Sequence, residues 1–356
     1  MTTIKQDVFG EFQDPDTGVK HEVKRFTLTS LSGVEVEVIS YGAGIRGIKA
    51  PDKRGNIEYV TLGFDKFEEY KKFPFIGSSI GRNGNRIGKG KFHLDGVDYQ
   101  LTINNNENHL HGGKRGWDKY NWESARIDNA VVFSLLSPDG DQGYPGSVIS
   151  QVKYTLSHSG ELRIDFEAMT TRATPINMTN HAFLNLGGHS SGRKSLLEHV
   201  FTVNADCYIP VSETLIPTGE KASVGGTAFD LRCPTTLGEA LEKAPGGGFD
   251  HTFCLHNKTR GKLEFALRAC HPSSGRVLEV YTSEPGVQIY TGNFLPKEKG
   301  KMVGYNGHSY TYQGSFCTEP QNFPDAINQP KNFPDNVLRP GKTYSHSMSY
   351  NFLVEK

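Results

Sequence analysis

The sequence predicts an all-β protein, a large antiparallel β-sandwich with few short helices. Apolar and polar residues alternate with period two in many short segments. Helix signals are few and short, and 40 glycines with 18 prolines supply turns between the segments. The 356 residues contain no repeat, no low-complexity tract and no linker, so residues 1–356 are expected to form a single domain.

Val34, Val36 and Val38 alternate with Glu35 and Glu37, the mark of a half-buried strand. Residues 64–71 can make two helical turns. Residues 92–94 and 97–101 flank Asp95-Gly96, a hairpin turn signal. Leu162, Ile164, Phe166 and Ala168 alternate with Arg163, Asp165 and Glu167, and residues 151–156 read as a further strand. Thr236, with Glu239 three residues on, forms a capping box for a helix over 236–243. Strands are also expected at 200–203, 263–267, 276–281, 287–291 and 344–352. Residues 246–248 read as a local flexible loop and 296–305 as a polar surface loop.

The formal net charge is +0, which argues against nucleic acid or an acidic membrane surface as partner. No apolar run approaches the ~18 residues that span a bilayer. Met1-Thr-Thr-Ile-Lys-Gln-Asp7 lacks a signal-peptide apolar core, so a cytoplasmic protein is expected. Cys207, Cys233, Cys254, Cys270 and Cys317 are odd in number and widely spaced, with no Cys-x-x-Cys. Buried reduced thiols are expected, not zinc ligands or disulfides. The sequons at Asn177-Met-Thr179 and Asn257-Lys-Thr259 are read as chance matches.

The most informative stretch is residues 174–187. Asn177, Thr179, Asn180, His181 and Asn185 sit among Ile176, Met178, Phe183, Leu184 and Leu186. Burying such a segment requires each polar group to find an internal partner or a ligand. His181 alone among them changes charge near neutral pH, so it is either a proton donor or a histidine bonded within a core network.

Five other segments carry polar residues that a plain β scaffold does not need. Gly81-Arg-Asn-Gly-Asn-Arg-Ile87 matches neither nucleotide-loop pattern and reads by itself as an exposed turn, with Arg86 able to fork onto hydroxyls or a carboxylate. His109-x-His111 has the spacing of a metal pair but no matched third ligand, leaving a satisfied loop histidine or a substrate contact. Asp250 reads as a turn carboxylate, and Gln288, facing away from Val287 and Ile289, reads by itself as an ordinary solvent-facing strand residue. Glu319, before Pro320, is expected near a strand end, where sites are often built. Together these supply a donor, an acceptor and several hydroxyl-binding groups, the mixture an uncharged sugar requires.

The same segments, in order, resemble the aldose 1-epimerase family in its animal-type branch. The resemblance runs over nearly the whole chain. It includes Gly81-Arg-Asn-Gly-Asn-Arg-Ile87, Asn108-His-Leu-His-Gly-Gly113, Asp139-Gly-Asp-Gln-Gly-Tyr-Pro-Gly146, residues 174–186, Glu213-Thr-Leu-Ile-Pro-Thr-Gly219, Gly225-Gly-Thr-Ala-Phe-Asp-Leu231, Gly248-Phe-Asp-His251, and residues 285–293 and 317–329. It implies Glu319 as catalytic base, His181 as general acid and His111 as a second active-site histidine near the ring oxygen. It implies Asn85, Arg86, Asp250 and Gln288 as the substrate-binding set. The implied fold is the galactose mutarotase-like supersandwich, with the sugar in a cleft on a concave face and no metal or organic cofactor. The implied partner is a free aldohexose, and the expected state a monomer or weak dimer.

Two positions depart from the family pattern: Gly84 where alanine is common, and Pro320 where threonine is frequent. Neither replaces a functional side chain. The implied acid–base scheme expects His181 to hold its proton above Glu319, with the surrounding asparagines orienting the imidazole. A glycosidase using Asp250 and Glu319, a sugar-phosphate epimerase and a non-catalytic sugar-binding module are the competing readings.

Overall fold

The computed structural model of the chain describes residues 2–256 and 261–355; the Asn257 sequon lies outside them. The architecture is antiparallel β throughout its main sheets. Thr3–Gln13, Lys20–Thr29, Glu35–Ile39, Gly44–Pro51 and Ile57–Tyr59 form a five-stranded meander in chain order.

A nine-stranded sheet is the backbone of the molecule. In spatial order it runs Glu123–Ile127, Ala130–Ser137, Val148–Leu156, Glu161–Thr170, Tyr344–Val354, Arg276–Thr282, Glu264–His271, Val200–Val203 and Thr235–Thr236. A six-stranded sheet runs Phe183–Leu184, Phe316–Gln321, Gly286–Tyr290, Asp250–Leu255, Ala205–Tyr208 and Ala222–Ser223. The main apolar cluster takes Val36 and Val38 from the first sheet, Ile164 and Phe166 from the second, and Phe253, Val287, Ile289 and Phe316 from the third. Alternation in these last strands turns Gln288, Cys317 and Glu319 to the opposite face.

Each expected strand is present, with ends moved by a few residues. Asp95 and Gly96 close the expected hairpin with φ of 49° and 82°, the left-handed pair a two-residue turn requires. Thr3–Gln13 escapes pattern reading because only Ile4 and Phe12 of its eleven residues are buried. The first helix is Phe67–Lys72, three residues later than expected at its start. The capped helix is Leu237–Lys243, with the Thr236 hydroxyl accepting from the Glu239 N–H. A third helix, Gly192–Glu198, was not legible in the sequence.

Two expectations fail. Of the five free cysteines only Cys270 and Cys317 are buried; Cys207 and Cys254 are half-buried and Cys233 is exposed. The 296–305 segment is not simply a surface loop: Met302 and Tyr305 are buried, because they pack into aromatic neighbours instead of solvent. Asn177 is buried, so that sequon cannot present a glycan site. No helix of the described residues is long and apolar enough to cross a membrane.

Candidate active site

Strand register builds the floor of the site. Thr252 lies opposite Gln288, and Gln288 opposite Glu319, so these three form one row across the six-stranded sheet. Asp250, Tyr290 and Cys317 form the next row on the same face. Glu319 sits within the strand, not at its end. Pro320 is tolerated there because the outer neighbour, Phe183–Leu184, pairs only with Cys317 and Phe316 and leaves that edge free.

One wall comes from the Gly81–Ile87 segment and the histidine motif. Arg86–Ile87 pairs with His109–Leu110, which places Asn85 beside His111. The Asn85 N–H donates to His111 Nδ1 at 3.2 Å, and the His111 N–H donates to the Asn85 carbonyl at 3.1 Å. Asn85 Oδ1 accepts from the Arg86 N–H at 2.9 Å. Asn85, His111 and Phe75 all hold left-handed φ, at 59°, 49° and 73°. Three such non-glycine residues around one space are held only because their neighbours fix them, and strain of this kind gathers at functional sites. Gly112 permits the turn after His111, since an added Cβ would lie 1.8 Å from the Gly81 carbonyl oxygen.

The Gly81–Ile87 segment is therefore buried, contrary to its reading as an exposed turn. Its first arginine is structural: Arg82 donates to the carbonyls of Pro145 and Gly146, both at 2.9 Å, and to Ser137 Oγ at 2.7 Å. The histidine pair also divides. His109 bonds the Thr102 carbonyl and the Tyr144 hydroxyl, both at 2.7 Å, while His111 faces the cavity.

His181 is carried in by backbone contacts. Its N–H donates to the Ser78 carbonyl at 2.9 Å and its carbonyl accepts from the Gly77 N–H at 3.0 Å. The side-chain hydrogen bonds of the nearby asparagines go elsewhere than the imidazole. Asn177 bonds Asn322, Asn180 donates to the Gly77 carbonyl, and Asn185 donates to the Gly314 carbonyl. They fix the chain beneath the ring, because their short amides reach the backbone first. The ring itself stacks on Phe183 at 4.8 Å and meets Cys317 Sγ through Nδ1 at 3.5 Å.

These walls enclose a cavity of about 480 Å³ lined by Asn85, Arg86, His111, His181, Asp250, Gln288 and Glu319. Apolar side chains, Phe75, Phe294 and Met302 among them, also line it. His181 Nε2 lies 3.5 Å from Glu319 Oε1. Glu319 Oε2 is buried without a protein partner. Gln288 Nε2 donates to Asp250 Oδ1 at 2.6 Å, and Asp250 Oδ2 lies 3.8 Å from Arg86 Nη1. Gln288 is 3% exposed, so it is no ordinary solvent-facing strand residue, and Asp250 is held in this network instead of capping a turn.

Burial sets the charges. It pushes the Glu319 carboxyl well above its ordinary range; Asp250 adds to the rise and Arg86 opposes it. Burial lowers His181 to about 4 and holds His111 well below the usual imidazole range. Desolvation thus works on the two groups in opposite directions, raising the carboxyl and lowering the imidazole, because it penalises the charged form of each.

Pattern reading passed over several residues of the site. Asn105 Oδ1 accepts from Arg86 Nε at 3.2 Å, and the Thr252 hydroxyl donates to Gln288 Oε1 at 2.5 Å. Thr252 and Tyr290 stand two residues from Asp250 and Gln288, so strand alternation was the available signal for both. His111, His181 and Glu319 bring ligand atoms within 4.8 Å of one another, the residue types of a metal site. They fit one poorly. The Asn85 N–H occupies the Nδ1 lone pair of His111, which puts the proton of the neutral ring on Nε2 and leaves no free nitrogen lone pair.

An antiparallel β scaffold with a buried histidine–carboxyl pair beside an amide, a second carboxyl and a guanidinium in one cavity is the framework of an enzyme site. The aldose 1-epimerase family model matches residues 24–351, and the chain belongs to the aldose 1-epimerase family. It is 47% identical to human galactose mutarotase over 355 residues, 99% of this chain and 100% of that one. It is 34% identical to aldose 1-epimerase of Escherichia coli K12 over 336 residues, 92% of this chain and 95% of that one. An aldose epimerase homologue from C. elegans superposes with a TM-score of 0.86 at 32% identity, covering 94% of this chain and 100% of that one.

Proposed function

We propose that this isomerase interconverts the α and β anomers of free hexoses such as galactose and glucose, with Glu319 and His181 as the proton-exchanging pair. The observation that carries the reading is their 3.5 Å separation. Opening a cyclic hemiacetal takes a proton from the C1 hydroxyl and gives one to the ring oxygen. Both oxygens are bonded to C1, so base and acid must stand side by side.

In the opening step the C1–O5 bond breaks, ionised Glu319 takes the hydroxyl proton and protonated His181 protonates O5. The aldehyde turns about C1–C2, and closure on its other face returns both protons. The neutral pair favoured by burial is the state that ring opening leaves behind. For the closed sugar one proton moves from Glu319 to His181. Arg86 favours that ionised carboxylate, as does a sugar hydroxyl donating to the unpartnered Oε2. His111, neutral and with its proton on Nε2, donates a hydrogen bond towards the ring oxygen. Asn85, Arg86, Asp250 and Gln288 hold the remaining hydroxyls, so that only C1 swings.

Free sugars suit the cavity better than sugar phosphates. Arg86 is the one Lys or Arg among the described lining residues, and it is shared with Asp250. A glycosidase is disfavoured because Asp250 is bound to Gln288, and Glu319 faces an imidazole. A cytoplasmic setting fits the exposed free thiol of Cys233.

The test is polarimetry on freshly dissolved α-galactose, beside release of an aglycone from an aryl galactoside. Rapid mutarotation without aglycone release is expected. Glu319→Gln and His181→Asn should each lower turnover by about 10²–10⁴-fold while the melting temperature holds. Near-normal turnover in either variant would reject the assignment.

A further inference from the structure

We infer that Thr252 is a positioning residue for sugar recognition: its hydroxyl fixes the amide orientation of Gln288 and, through Gln288, the carboxylate of Asp250. Thr252 is 2% exposed and is not among the residues lining the cavity, so it acts only through its neighbours. Its role presupposes the aldose 1-epimerase reading above.

The chemistry of the row leaves one arrangement. Gln288 lies between Asp250 Oδ1 at 2.6 Å and Thr252 Oγ1 at 2.5 Å. An ionised carboxylate only accepts, so the NH₂ end of the amide must face Asp250. The carbonyl end then faces Thr252, where a donor is required, and the single hydroxyl proton of Thr252 supplies it. Without that proton Gln288 Oε1 is a buried orphan, and flipping the amide sets it against the Asp250 carboxylate.

Thr252 is itself held in place. A Cβ added at Gly286 on the neighbouring strand would lie 2.9 Å from both Thr252 Cγ2 and a Phe323 ring carbon. The missing side chain leaves the room that the threonine methyl occupies, and a β-branched residue so placed has little χ1 freedom.

The bonds then run on from the amide. Asp250 Oδ2 faces Arg86 Nη1 at 3.8 Å, and Arg86 Nε donates to Asn105 Oδ1 at 3.2 Å. The groups left for a ligand are the second N–H of Gln288, Oδ2 of Asp250 and the outer N–H groups of Arg86. A carboxylate flanked by an amide donor and a guanidinium donor suits a vicinal diol, in which a hydroxyl donates to the acid and both accept from its neighbours. Thr252 thus decides the donor–acceptor order that adjacent sugar hydroxyls meet.

The experiment compares wild type, Thr252→Val, Thr252→Ser, Gln288→Ala and the Thr252→Val/Gln288→Ala double variant. Galactose mutarotation kinetics and calorimetric galactose binding are read on each. Thr252→Val should raise KM and Kd about tenfold with kcat within about twofold, because the lost order weakens bound substrate and transition state alike. Thr252→Ser keeps the hydroxyl but not the methyl that fixes it, and should fall between wild type and Thr252→Val, nearer to wild type. In the Gln288→Ala background Thr252→Val should add less than about twofold. Should Thr252→Val not fold, Thr252→Ala carries the same expectation. Unchanged affinity in Thr252→Val, a serine variant as weak as the valine one, or a full tenfold effect without Gln288 would each overturn the role. A wild type that binds galactose without turnover sinks the epimerase reading and leaves Thr252 to be judged on Kd. One that does not bind galactose sinks both.

Discussion

His181 Nε2 and Glu319 Oε1 lie 3.5 Å apart, on segments 138 residues distant in the chain, and both groups are buried. A proton can move between them without solvent, and neither group is favoured in its charged form.

In the proposed mechanism this pair sets the pH dependence of turnover. The working enzyme holds one proton between the two groups. A second proton enters as pH falls through about 4, the value to which burial lowers His181. The shared proton leaves at a pH above the ordinary carboxylate range, because burial raises Glu319. We expect kcat/KM to fall in acid towards pH 4, and to fall again at a pH well above the ordinary carboxylate range. Polarimetric rates across the range check this; a limb at pH 6.5, the ordinary histidine value, would contradict it.

The two histidines of one motif should separate by substitution. His109→Ala removes a fully buried ring bonded at both nitrogens and should destabilise the fold by roughly 2–3 kcal/mol. His111→Ala should lower turnover about tenfold or more, with a smaller change in melting temperature. Thermal melts and mutarotation rates on both variants separate the roles, and a reversed pattern would refute them.

The two arginines of Gly81–Ile87 divide in the same way. Arg82→Met leaves the carbonyls of Pro145 and Gly146 without their donor and should cost roughly 3 kcal/mol or more in stability. Arg86→Lys loses the fork that spans Asn105 and Asp250, and should raise KM about tenfold with little change in melting temperature. Urea titration and saturation kinetics measure the two effects.

Acid should destabilise the fold well above the ordinary carboxylate range. Burial lowers His109 to about 4 and His199 and His346 to about 3. Their folded values lie below the unfolded one, so between these values the unfolded chain binds more protons. Stability is fully present above about pH 6.5 and is lost as pH falls towards the folded values. At pH 5 each fully buried histidine contributes a loss on the order of 2 kcal/mol. Glu319 is raised and works in the opposite sense, but it is outnumbered. Urea midpoints at pH 7 and pH 5 test the direction; a higher midpoint at pH 5 would contradict it.

The sequence by itself determined the strands whose alternation faces core on one side, such as Glu161–Thr170 with Leu162, Ile164 and Phe166 inward. It also determined the Asp95-Gly96 turn and the Thr236 cap, because these rest on contacts within a few residues. The ordered motifs picked out seven residues, all of which line one cavity. Tertiary structure decided how those residues behave. His109 and His111 are two positions apart, yet the first is tied to the Thr102 carbonyl and to Tyr144, 35 residues on, while the second faces the cavity. Gln288 was taken alone as a solvent-facing residue, and its burial follows from its strand's place between Asp250–Leu255 and Phe316–Gln321. The same holds for the proton affinities of Glu319 and His181, which burial shifts in opposite directions: desolvation is a property of the enclosed cleft, and no local pattern encodes it.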